Sequence, residues 1–215
     1  MDATDALIAS LSEQLTPVRR LAPPSLRAAS WVALATALVA AFCLVRGLRP
    51  DLSSRVLEPS FLTAVAAAWA TGALATLAAF EIGLPDRRQA WLLAPLPALL
   101  LWVSGISYGC LGDWVAIPAG APLVAGSVRC LETLLGTSIP LALVLWRMLR
   151  QARPLRPANP AWMGALAVAA FADTAHLLIH PLDATALVLV MNLGVAAIIV
   201  GCAGAAGARR LSTRH

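Results

Sequence analysis

The chain has 215 residues, a formal net charge of +5 and a mean hydropathy of +0.79; 60% of it is hydrophobic and only 13% is charged. Soluble domains run at roughly 45–50% apolar and about 25% charged, so this composition excludes an ordinary soluble enzyme and points to an integral membrane protein. The 16 basic residues are all arginine and too scattered to form a nucleic-acid surface.

Residues 1–25 are the one sizeable polar segment. Within it Leu7, Ile8, Leu11, Leu15 and Val18 recur at helical spacing along one face. Asp2 and Asp5 suit the positive end of a helix dipole, Arg19 and Arg20 the negative end, and Pro23-Pro24 stop the helix. The segment therefore reads as a short amphipathic helix followed by a rigid break. Such a stripe suits either the inner leaflet of a membrane or a groove on a cytosolic partner. The acidic head and the late start of the first apolar run speak against a secretory signal.

Six apolar runs follow, at about 28–48, 61–80, 90–108, 127–146, 162–179 and 184–208. Each is near the roughly 20 residues needed to cross a hydrocarbon core as a helix. The runs are continuous, not alternating, which favours helices over barrel strands. The expected fold is thus all-α and polytopic: a cytoplasmic amphipathic segment (1–25), a six-helix transmembrane domain (26–208) and a cytoplasmic tail (209–215). With six crossings, twelve arginines fall on the side of the termini and three, Arg46, Arg49 and Arg55, on the other. The positive-inside bias then places both termini in the cytoplasm. Small residues at every fourth position, Ala64, Ala68, Gly72 and Thr76 in run two, and Gly201 with Ala205 and Gly204 with Ala208 in run six, predict close helix packing.

This topology gathers reactive residues at the external face. Cys110 ends run three and Cys130 begins run four, with Asp113 and Trp114 between them; His176 and His180 end run five and Asp183 follows. Thiols there can form disulfides or bind soft metals. Against this stands the simpler reading that cysteine is a small apolar residue that packs well, which also covers Cys43 and Cys202. No CxxC pair or zinc-type spacing is present. Intramembrane ionisable residues form two i,i+3 pairs, Arg129 with Glu132 and Asp173 with His176. They read either as pairs that satisfy each other or as parts of a small transporter or channel centred on Asp173 and His176. The sequence contains no GxSxG, HExxH or phosphate-binding glycine loop, and the loops leave no room for a catalytic domain, so neither enzymatic activity nor a cofactor is expected.

Six segments, PVRRLAPPSLRAASW (Pro17–Trp31), GLRPDL (Gly47–Leu52), EPSF…GLPDRR (Glu58–Arg88), YGCLGDW (Tyr108–Trp114), SVRCLETLLGTSIP (Ser127–Pro140) and the Arg-Pro loop leading to Trp162, resemble the NrsF family of membrane anti-sigma factors, also known as the DUF1109 group. The resemblance implies a bacterial inner-membrane protein that holds an extracytoplasmic-function sigma factor through its cytoplasmic part and releases it under envelope, metal or oxidative stress. Leu7–Val18 becomes the leading sigma-contact segment. The family is associated with periplasmic cysteines. One matches Cys130. The second follows a histidine at the end of helix five, and here His180 is followed by Pro181. The resemblance leaves three options: Cys110 replaces that thiol, His180 and Asp183 bind a metal ion, or sensing differs in this chain.

Overall fold

In the computed structural model the described residues are 3–13, 21–84, 86–104, 123–152, 158–180, 198 and 201–202, with side chains of α6 described from residue 132 onward. All the regular structure among them is helical. The elements are α1 (Ala3–Glu13), α2 (Pro24–Arg46), the short α3 (Leu52–Arg55), α4 (Pro59–Ile82), a 3-10 turn (Gln89–Leu93) leading into α5 (96–104), α6 (Leu123–Gln151) and α7 (Ala158–Ile179). Four of these, Pro24–Arg46, Pro59–Ile82, Glu132–Gln151 and Ala158–Ile179, are long and apolar enough to cross a membrane. They correspond to runs one, two, four and five and point to membrane association. Run three appears as a shorter apolar helix, Gln89–Ser104, and most of run six lies outside the described residues.

Helix boundaries differ from the apolar runs for identifiable reasons. Pro24 and Pro59 sit in the first turns of α2 and α4, where a missing N–H costs nothing. Pro24 therefore begins a helix as well as ending the polar segment. α6 continues past Trp146 to Gln151 and carries Arg147 and Arg150 near its C-terminal end. The Arg150 guanidinium lies over the Trp146 ring, 4.4 Å from its centre.

α7 is the central helix and meets α4, α6 and α2. Its buried face is built of small residues, Gly164, Ala165, Ala167, Ala170, Ala172 and Ala175, around Phe171. α4 presents Ala68, Gly72, Ala75 and Thr76 to it. A Cβ added at Gly72 would lie 2.7 Å from the Phe171 ring, so glycine is what lets the two helices approach. Phe171 is fixed by edge-on contacts to Trp31 of α2 (5.4 Å) and Trp69 of α4 (6.3 Å). α2 contributes Ala28, Trp31, Ala35, Val39 and Cys43, one face at helical spacing. Cys43 thus packs in the core, as a small apolar residue would, whereas Cys202 is exposed.

Polarity is distributed as an apolar solvent demands. Leu34, Leu44, Leu143, Trp146 and Trp162 face outward. Thr71, Thr76, Thr137 and Thr174 are buried and return their hydroxyls to the carbonyls of Ala67, Gly72, Thr133 and Ala170 one turn back.

Because Phe171 has no room to retreat, Gly72→Val should destabilise the bundle by about 1–3 kcal/mol. Thermal unfolding in detergent will show a lower midpoint for this variant, and none for Ala66→Val on the exposed face of α4.

Candidate functional site

One end of the bundle is organised by Arg49. α2 closes at Gly47, whose φ of +86° lies where L side chains rarely go. The chain turns there and delivers Arg49 to the end of α7. The Arg49 side chain is wholly buried (0% exposed). Its Nε and Nη2 donate to the two carboxylate oxygens of Asp51, at 2.7 and 2.8 Å. Its backbone N–H donates to the Leu178 carbonyl (3.1 Å), and Nη1 points at the Leu177 carbonyl (3.5 Å). Both carbonyls belong to the last turn of α7, which has no helical donors of its own. A cation there also meets the negative end of the helix dipole. The guanidinium lies 5.6 Å from the Phe61 ring centre of α4, so one side chain joins the first loop, α4 and α7. Asp51 is shared with Arg55, which also pairs with Glu58 at 3.0 Å. The hydrogen bond from Arg49 is the main reason that the Asp51 carboxyl is held down at about 2.

The sequence-predicted residues distribute around this clasp. His176 is buried, and its ring lies 4.3 Å from that of His180. His180 Nε2 is 3.0 Å from the Thr133 hydroxyl of α6. Asp173, one turn deeper, accepts a hydrogen bond from Trp102 Nε1 of α5 at 2.8 Å. This contact joins Asp173 of α7 to the neighbouring helix α5. Glu132 forms an ion pair with Arg46 of α2 at 2.9 Å; the expected i,i+3 partner, Arg129, has its side chain outside the described residues. Cys130 lies in the helical backbone of α6 with its side chain likewise outside them. Cys110, Asp113, Trp114 and Asp183 are outside the described residues, as are Leu15 and Val18. Among the described residues, no three His, Cys, Asp or Glu side chains lie together as a metal site.

The opposite end is also held by an arginine. Arg27, in the first turn of α2, donates to the carbonyl of Met148 in the last turn of α6 and lies 4.7 Å from the Phe80 ring centre. Glu81 is buried at this end and forms an ion pair with Arg87 (3.0 Å). α1 comes earlier in the chain, with residues 14–20 outside the described residues. Residues 4–13 are all exposed, with Leu7, Ile8 and Leu11 between 56% and 60% exposed.

Arg49 and Arg27 entered the sequence reading only as votes in a charge count. The signal for Arg49 was present: GLRPD sets an arginine two residues before an aspartate in a loop with few other charges. Arg49→Ala removes the side-chain donors to the Leu177 carbonyl and the two close donors to Asp51, keeps the backbone bond to the Leu178 carbonyl, and should cost about 2 kcal/mol, measured as a lower unfolding midpoint in detergent. The Asp51 contact is at full strength above the ordinary carboxyl value near 3.8 and is lost as pH falls through about 2. Amide exchange of the 47–58 loop should therefore remain slow at pH 4 and accelerate only as pH approaches 2.

No curated protein and no solved structure matches this chain. The family model for NrsF, negative regulator of sigma F, matches residues 11–212. That match spans all four long apolar helices and both arginine-held ends, and the chain accordingly belongs to the NrsF family of negative regulators of a sigma factor.

Proposed function

We propose that the chain is an inner-membrane anti-sigma factor that sequesters an extracytoplasmic-function sigma factor through its cytoplasmic N-terminal segment and releases it on periplasmic redox or metal stress. The observation that carries this reading is α1. A helix with Leu7, Ile8 and Leu11 more than half exposed has apolar surface to bury. It is separated from the bundle by Pro23-Pro24, and its sequence family is one of sigma-factor regulators. In this reading Leu15 and Val18 continue the stripe, six helices cross the membrane, and both termini are cytoplasmic. The Arg27 end then faces the cytoplasm and the Arg49 end the periplasm. The protein acts by binding and catalyses nothing.

The sensor candidates under this reading are Cys130 with Cys110, or His180 with Asp183 and a metal ion. The Arg49 end supports the placement, because His180 and the helix that carries Cys130 meet there through Thr133.

Replacing Leu7, Ile8 and Leu11 together by aspartate should abolish co-purification of the sigma factor while the protein remains in the membrane. Retained capture by the triple variant sinks the reading. Cys130→Ser should alter induction of a sigma-dependent reporter by oxidants and thiophilic metals with membrane insertion intact; unchanged induction removes Cys130 as sensor.

A further inference from the structure

α6 contains a proline in its middle, Pro140. Proline has no N–H, so the carbonyl of Gly136 lacks its donor one turn on, and the helix is weakened between these positions. Gly136 also lies against α2: a Cβ there would lie 3.3 Å from the Phe42 ring. Beside the pair runs an apolar groove of about 240 Å³ between α2 and α6, lined by Leu38, Val39, Phe42, Gly136, Pro140 and Leu141. Ser138, between Gly136 and Pro140, is 2% exposed, and its hydroxyl has no hydrogen-bond partner among the described residues. A buried hydroxyl without a partner is costly, and such groups mark places where the observed arrangement competes with another.

The two halves of α6 are anchored differently. The half after Pro140 is held by Arg27 on the Met148 carbonyl and by Leu141 and Leu145 in the main core. The half before it is tied to α7 by the Thr133 hydroxyl, 3.0 Å from His180 Nε2, and by Leu134 against Ala172, and to α2 by the Arg46–Glu132 ion pair, whose side chains are 37% and 63% exposed. Exposed pairs of this kind are weak and readily opened. Arg46 also lies over the Phe42 ring, 5.8 Å from its centre, so the ion pair, Phe42 and the Gly136 approach form one continuous contact.

We propose that α6 is a hinged helix: residues 132–139 tilt about Gly136–Pro140 across the α2–α6 groove, and the Arg46–Glu132 ion pair is the latch that holds them on α2. The groove lies on the α2 side of the N-terminal half, and a tilt along it parts Thr133 from His180 and Leu134 from Ala172, while the C-terminal half stays on Arg27 and the main core. This inference deepens the anti-sigma reading, since Cys130 lies on the tilting half, and its importance for release rests on that reading.

The test is hydrogen–deuterium exchange on the full chain in detergent micelles, with peptides resolving 132–139 from 141–151. In the wild type the N-terminal peptide should exchange faster. Glu132→Gln should accelerate that peptide by about threefold, the size expected for an exposed ion pair, and leave 141–151 unchanged. Pro140→Ala restores a donor to Gly136 and should slow exchange around the pivot and couple the two halves, so that the Glu132→Gln effect spreads or disappears in the double variant. Equal protection on both sides of residue 140 in the wild type overturns the hinge. So does acceleration by Glu132→Gln alone that runs uniformly through 132–151. No sigma factor enters this measurement, so its failure leaves the anti-sigma reading intact, and failure of sigma capture leaves the exchange result standing.

Discussion

The approach of α4 to α7 at Gly72 and Phe171 is the contact on which the rest of the bundle depends. In lipid, helices gain nothing from hiding apolar surface, because the solvent is as apolar as they are. What remains is dispersion, which falls steeply with distance, and close approach requires small side chains. α7 and α4 meet through alanine, glycine and threonine, and the one large residue on that face, Phe171, lies over the one position on α4 without a Cβ. Trp31 and Trp69 then close on the ring from either side. Edge-on aromatic pairs of this kind add about 0.5–1.5 kcal/mol each beyond burial. α2 is thereby positioned by the same ring that α4 admits.

With the helices set at this distance, their ends still carry carbonyls without donors. Two arginines complete them, Arg49 on α7 and Arg27 on α6. The chemistry suits arginine better than lysine: a planar fork reaches a carbonyl, a carboxylate and an aromatic face at once. Burying the Arg49 charge is tolerable because Asp51 meets it with two hydrogen bonds. Removing one partner of such a pair costs more than the pair itself contributes, because the other charge is left behind. The arginines on this side of the bundle thus have a structural duty that a sidedness count does not register.

Sequence reasoning reached the fold class through the apolar runs. It reached the α4 packing face through the small residues at every fourth position, since both patterns depend only on local spacing. The sequence reading also placed His176 and His180 at one end of the bundle. It did not reach the partners. Asp173 and His176 are three apart in sequence and suggest each other, yet Trp102 reaches Asp173 from a helix 71 residues away. Glu132 similarly finds Arg46 across 86 residues. Side-chain partners across helices are set by rotation and register, which tertiary packing decides and a single sequence does not encode in its spacing. Pro23-Pro24 illustrates a further ambiguity: proline can end one helix or begin the next, and the φ/ψ of Pro23 at the α2 cap shows the second.

The entry into α2 follows from the same residues. Pro23 is extended, Pro24 opens α2, and the Arg27 N–H closes the first turn on the Pro23 carbonyl at 3.1 Å. Two prolines in succession leave few rotations free, so the path by which the polar segment leaves α2 is stiff. Only three residues beyond Pro24, Arg27 grips the end of α6 and the Phe80 ring of α4. α2 is itself a continuous 23-residue helix without an internal proline after its first turn. A rigid rod held at one end by Arg46 and Glu132 and at the other by Arg27 and Met148 shares both of its ends with α6. In the hinge inferred for α6 only the Arg46–Glu132 end of this pairing opens, while the Arg27–Met148 end, where α2 begins, stays held.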